Sequence, residues 1–205
     1  MEPAPWLLRR RPPAVTPPGL TAYTLADVER ALGVRYTAEQ SADLRIVPFD
    51  RITLAQAAGT HVLFPGFPLS LCDLRSRHPE LFLSRGECWY EGWPFAITAV
   101  PPRWYLLRRA EVPQSCDKPW QEQQLLMGRG AVPRTNVVAF GAVLHALVTG
   151  ERLFHARYVR TADGTGGDCR VYAGMFTARG LGVNTAWEGY RDETIGVAWM
   201  CQTRS

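Results

Sequence analysis

The chain has little lysine, few histidines and no obvious cysteine pairing, and each shortage narrows what it can be. Lys118 is the only lysine among 23 basic side chains. Codon bias in a GC-rich genome produces such a skew, and Ala, Gly and Pro are plentiful too. The arginine count by itself therefore does not indicate phosphate binding. The five cysteines are Cys72, Cys88, Cys116, Cys169 and Cys201, widely spaced and without a C-x-x-C. An odd, scattered set argues against a disulfide framework and a zinc ribbon, and it predicts a reducing, cytoplasmic setting. The start Met1-Glu2-Pro3 has no basic n-region, and Trp6-Leu7-Leu8 is too short for an apolar h-region, so no secretory signal is expected. No P-loop, dinucleotide fingerprint, H-E-x-x-H or G-x-S-x-G elbow occurs. No cofactor and no metal are predicted.

Charge is missing from one long stretch. Between Thr135 and Gly150 nearly every residue is apolar and none is Asp, Glu, Lys or Arg. A segment apolar on all sides must be covered on all sides. Its valines favour a strand, but about fifteen residues exceed the usual 4–8 of a buried strand. Pro133 suits a first helical turn, Thr135 or Asn136 offers a cap, and Gly150 suits the left-handed residue past a helix end. The segment reads as a buried helix. It is shorter than the roughly 20 residues of a membrane span and carries Asn136, His145 and Thr149, so no membrane is expected.

What is present fits an ordinary globular composition, 46% hydrophobic and 20% charged with a net charge of +4. Residues 1–20 hold six prolines and Arg9-Arg10-Arg11, which predicts a flexible arm. Residues 21–205 read as a single α+β domain. Thr24 and Thr37 look like helix caps, Gly33 ends the first helix, and a helical turn over 53–58 ends at Gly59. Two short helices so close together also suggest a helix-turn-helix, but the second breaks by Pro48 and shows no basic face. Residues 60–64 read as a strand, Ser70 to Arg77 as a helix, Trp104 to Leu107 as a strand and Ser115 to Met127 as a helix. A strand follows over about 153–161. Cys169 to Phe176 alternates with period two, Gly180-Leu181-Gly182 marks a bend, and Ile195 to Cys201 alternates as a last strand. The predicted architecture is a C-terminal antiparallel meander packed on the buried helix, with short helices before it.

The motifs Gly150-Glu151-Arg152-Leu153-Phe154, Tyr158-Val159-Arg160 with Asp163, Arg170-Val171 with Phe176, Gly180-Leu181, Trp187 and Ile195-Gly196-Val197 carry a resemblance. So do Phe67-Pro68-Leu69, Trp104 to Arg108 and Trp120 with Glu122-Gln123-Gln124. On these the chain resembles a group of uncharacterised bacterial proteins of no known activity, over about residues 50–200. The resemblance implies a bacterial origin and nothing about mechanism.

Candidate chemistry is thin. Trp187, Glu188, Tyr190, Arg191 and Asp192 crowd one loop, and loops carry binding groups disproportionately. With Arg160 and Asp163, the residues Trp187, Arg191 and Asp192 form the expected ligand site. The simpler reading is a loop whose ion pairs satisfy themselves. Asp163 and Asp168 flank a glycine turn and could hold a hard cation, although the calcium-loop pattern is absent. His145 beside Asp163, Asp168 or Asp192, with Cys169 as nucleophile, would make a small hydrolase or transferase. Arg9, Arg10 and Arg11 with Arg103, Arg108 and Arg109 would make a nucleic-acid binder. The leading expectation is a cytoplasmic bacterial binding or interaction protein without catalysis, working on a protein partner or a small ligand.

Overall fold

The computed structural model describes residues 16–83, 88–128 and 130–202. Residues 1–15 of the arm expected over 1–20, with Arg9, Arg10 and Arg11, lie outside the described residues, while Leu20 at its end is buried in the core. The chain opens with a short strand, β1 (Thr21–Ala22), and then three helices, α1 (Leu25–Leu32), α2 (Ala38–Asp43) and α3 (Arg51–Ala57). Thr24 and Thr37 close capping boxes on α1 and α2, Asp50 caps α3, and Gly33 ends α1 at φ 62°. Next come β2 (His61–Pro65), α4 (Leu71–Arg77) capped by Ser70, α5 (Pro94–Ile97) and β3 (Trp104–Arg108).

A short helix, α6 (Trp120–Leu125), and the strand β4 (Gly130–Ala131) lead into α7 (Thr135–Thr149). The last part is β5 (Tyr158–Gly164), β6 (Cys169–Thr177), β7 (Gly180–Trp187), β8 (Ile195–Val197) and β9 (Met200–Cys201). The fold is α+β, with two mixed sheets in the orders β1-β2-β3-β9-β4 and β7-β6-β5-β8. Strands β5, β6 and β7 form the antiparallel meander, and β8 lies parallel to β5.

Helix α7 is covered all round except in its last turn, where Val148 is 42% exposed. Its residues from Thr135 to His145 are all buried. It packs on β5 and β6 of the meander and on α1, α4 and α5. On the other sheet, Phe64 stacks on Phe140 at 5.7 Å. Gly141 permits that approach: a Cβ there would stand 2.8 Å from the Phe64 ring and 2.9 Å from Leu107. A larger residue would overpack the seam, at about 1–3 kcal/mol. Gly150 ends the helix at φ 78°. Its start is capped from a distance. Neither Thr135 nor Asn136 does it; the Asp163 carboxylate, from β5, accepts the Thr135 N–H at 2.7 Å.

The structure departs from the sequence reading in four further places. The strand expected over 153–161 begins only at Tyr158. Residues 153–157 form a loop in which Phe154 takes φ 53°, outside any strand conformation. The helix expected over 115–127 shrinks to Trp120–Leu125. Ser115 is turned inward, donating to the Val112 carbonyl and accepting from the Val197 N–H. The bend expected at 180–182 is instead the opening of β7, paired along β6. The last strand is divided: β8 belongs to the meander, while β9 pairs with β3 and β4 in the other sheet.

Candidate functional site

The C-terminal end of α7 carries a buried polar cluster. His145 is 1% exposed on an apolar helix. A buried imidazole needs partners for both nitrogens, and three other elements supply them. Tyr23, just after β1, brings its hydroxyl to 2.5 Å from Nδ1. Arg109, at the exit of β3, brings a guanidinium nitrogen to 3.4 Å from Nε2, and Glu151, just past Gly150, brings Oε2 to 3.5 Å. Glu151 also accepts from Arg109 at 2.9 Å.

The protonation states follow from the surroundings. Burial pushes the Tyr23 phenol up to about 12. Burial, then Arg109, holds His145 below its usual range, and Glu151 opposes that shift. Near neutral pH the phenol is therefore protonated and the imidazole neutral, in one of two arrangements: the phenol donates to Nδ1 and Nε2–H faces Glu151, or Nδ1–H donates to the phenol oxygen and Nε2 accepts from Arg109.

Arg109 and Glu151 also belong to a cleft of about 820 Å³. Its walls are residues 109–111, the loop 151–157 and the end of β6 at 176–178. That volume lies in the range of small-molecule sites. Leu153, Phe154 and Phe176 line it and are themselves buried. The loop is tied to both neighbours: the Phe154 N–H donates to the Arg109 carbonyl at 3.3 Å, and the Phe154 carbonyl accepts from Phe176 at 3.2 Å. A bulky residue in the left-handed region costs about 1–3 kcal/mol and persists only where its surroundings impose it. The cleft's charged groups are Arg109, Arg152, Arg157, Glu111 and Glu151, with His155 beside them. Arg157 lies 4.0 Å from Glu111 and donates to the Glu193 carbonyl. Arg152 lies over the Phe176 ring, 5.5 Å from its centroid.

The residues expected to bind a ligand sit elsewhere. Arg160 is 0% exposed. It donates to the carbonyls of Lys118 and Tyr190 and to Gln123 Oε1, while its Nε has no partner. Among the described residues no carboxylate pairs with it, and burial lowers its pKa. Gln123 passes the contact on to the carbonyls of Ser115 and Ile195. Arg191 pairs with Glu122 at 2.8 Å and reaches the Asp117 carbonyl. Asp192 accepts from the Thr194 N–H and hydroxyl, which hold its carboxyl below the usual range. Arg160 and Arg191 thus both hold the 117–123 segment, and Asp192 orders the loop beside them. Trp187 is 60% exposed at the end of β7, its ring lying against Gly189. Asp163 is apart from this group, at the start of α7, where Arg134 also holds it at 3.0 Å.

The other candidates are placed as follows. Asp168 occupies the β5–β6 turn at φ 57°. Among the described residues no group of three His, Cys, Asp or Glu side chains gathers as metal ligands. Neither Cys169 nor any of the three aspartates bonds His145, whose carboxylate neighbour is Glu151. Arg108 donates to the Glu111 carbonyl, Arg109 is engaged as above, and Arg103 lies over the Tyr105 ring at 5.2 Å. Sequence reasoning missed Tyr23, Glu151, Arg152, Phe154 and Phe176 as site residues. One signal was in reach: Glu151-Arg152 is the first charged pair after the uncharged run. No known protein family, curated protein or solved structure matches the chain.

Proposed function

We propose that the protein is a cytoplasmic bacterial binding module without catalysis of its own, and that it takes a small ligand in the cleft beside the end of α7. The observation that carries this reading is the cleft itself: about 820 Å³, an apolar floor and charged walls. Pockets with an apolar lining and a few placed polar groups are the usual form of ligand sites. The odd, scattered cysteines support the cytoplasmic part, and the bacterial part rests on the resemblance. A thermal-shift screen of the full chain against small organic compounds tests the proposal. The expected result is a set of stabilising compounds whose effect disappears in Ala178→Trp, which fills the cleft mouth. A screen in which no compound raises the unfolding temperature, or in which A178W keeps every shift, would sink it.

One observation favours a second reading. Tyr23, His145 and Glu151 stand in line, with 2.5 Å and 3.5 Å between their polar atoms. Such a line can move a proton, so a small hydrolase or transferase stands as the alternative, with Glu151 in the place expected for an aspartate or cysteine. It ranks second because His145 and Tyr23 are 1% and 4% exposed and neither lines the cleft. Turnover of activated esters or phosphoesters that is lost in His145→Gln would move it to first place. For a nucleic-acid role, Arg108 and Arg109 are already engaged by the chain's own groups, which leaves the strand end little to offer a phosphate. A gel shift that weakens steeply with salt would restore that role.

A further inference from the structure

We propose that residues 151–157 form a strap that opens as a unit ahead of the rest of the fold, so that the cleft has two depths. The inference needs no ligand and stands apart from the binding reading. It starts from two strained residues on adjoining segments. Phe154 takes φ 53° in the loop, and Met175 takes φ 44° in β6. Neither is a glycine or an asparagine, the residues that tolerate this region. The two segments are bonded to each other. The Phe176 N–H donates to the Phe154 carbonyl at 3.2 Å, and the Met175 N–H donates to the Arg157 carbonyl at 2.8 Å. Gly174 permits this approach of backbone to backbone, since a Cβ there would collide with the Arg157 carbonyl oxygen. At the same place β6 breaks its register with β7, between Gly174 and Thr177.

Bulky left-handed residues persist only where their surroundings impose them, and here the imposing contacts are few. A third bond, from the Phe154 N–H to the Arg109 carbonyl, is long at 3.3 Å. The strap's buried side chains are those of Leu153 and Phe154, while Glu151, Arg152, His155 and Ala156 are exposed. Helix α7, just before it, is buried at every residue from Thr135 to His145. Segments with few buried apolar contacts open at lower free energy than the core does. Three bonds and two apolar side chains keep the closed form dominant; the strain at Phe154 and Met175 brings the open form within reach. When the strap lifts, both residues return to ordinary backbone angles. The Phe176 ring, 0% exposed in the closed form, then becomes the floor of a deeper cleft.

Amide hydrogen exchange of the full chain, followed by NMR at several low denaturant concentrations, tests this. After correction for intrinsic rates, the Phe154, Met175 and Phe176 amides are expected to exchange as one group. That group should exchange roughly a hundredfold or more faster than the amides of Val138 to Leu144, with little dependence on denaturant. Met175→Gly relieves the strain at that position and should slow the group about threefold or more. Gly174→Ala pushes against the Arg157 carbonyl and should speed the group by more than it speeds α7. Three amides as protected as those of α7 would show that the loop opens only with the whole molecule, and would overturn the inference. Three amides exchanging at unrelated rates would overturn it too, as would an M175G variant whose group exchanges as fast as the wild type or faster. If either variant fails to fold, exchange in the wild type alone decides.

Discussion

The two ends of α7 carry the same chemical parts put to different uses. At its start, Asp163 accepts from the Thr135 N–H and pairs with Arg134; at its end, Glu151 pairs with Arg109 and faces His145. Each end has a carboxylate, an arginine and a buried polar partner. The difference is access. The Asp163 side chain is 8% exposed, whereas that of Glu151 is 68% exposed and borders the cleft. A carboxylate sealed against a helix terminus answers orphan N–H groups and the positive end of the helix dipole. A carboxylate at a cleft wall is worth little to stability and is free to respond to a ligand. Residue type does not decide the role of these clusters; solvent does.

That contrast can be broken or sharpened by experiment. The largest effect is expected at Arg160, which belongs to the sealed class although it lies away from α7. Arg160→Met leaves the carbonyls of Lys118 and Tyr190 and the Gln123 amide without their donor. Chemical denaturation should show a loss of about 3 kcal/mol or more, since each buried acceptor left unsatisfied costs about 1–3 kcal/mol. A variant as stable as the wild type would show that the buried guanidinium costs as much to desolvate as its bonds return.

The buried histidines set the next effect. Burial, then Arg108, holds His61 down to about 4, against 6.5 unfolded. His145 is lowered too, though Glu151 partly offsets the shift. With both folded values below the unfolded one, the unfolded chain binds more protons between them. Stability is therefore full above pH 6.5 and falls as pH drops toward the folded values, by on the order of 3 kcal/mol for a histidine like His61. His61→Gln should remove more of this slope between pH 6.5 and 4 than His145→Gln. Equal slopes in both variants would refute the difference drawn between a histidine without a carboxylate and one beside Glu151.

Asp163→Ala comes third, at about 2 kcal/mol for a lost cap and a half-exposed ion pair. Amide exchange should quicken first at the start of α7, and uniform protection along the helix would contradict the capping role. The smallest effect is expected at the other end. Glu151→Gln should cost less than about 0.5 kcal/mol in chemical denaturation. A large stability loss there would make both ends structural and remove the contrast.

Much of the fold was legible from local rules. The caps at Thr24, Thr37 and Ser70 announced their helices, Gly33 and Gly150 announced helix ends, and the period-two pattern from Cys169 to Phe176 announced β6. The uncharged run announced a helix, which is buried on every side from Thr135 to His145 but not in its last turn. What was not legible depended on tertiary partners. Nothing near Thr135 reveals that its cap arrives from a strand 28 residues later. Nothing near Phe154 reveals a left-handed backbone, which is imposed by bonds to Arg109 and Phe176. The cleft suffers most from this, because its walls come from three separated stretches. The loop from Trp187 to Asp192 stood out by composition, but its arginine holds the 117–122 segment and its aspartate ties the loop to itself through Thr194, a property of contacts and not of residue type.

The division of the final strands has a consequence for how the molecule is made. Within seven residues the chain runs from Ile195, paired with β5, to Cys201, paired with β4. The Ala198 N–H still bonds the Arg160 carbonyl, while the carbonyl of the next residue, Trp199, bonds the Arg108 N–H. On the ribosome, β3 and β5 are thus both synthesised well before the one short segment that covers the open edge of each. Until that segment leaves the exit tunnel, a nascent chain presents two unpaired edges at once, the usual starting point for pairing with another chain. These seven residues act as a latch that joins the two sheets last, and a ribosome stalled before Ile195 would hold a molecule with neither sheet complete.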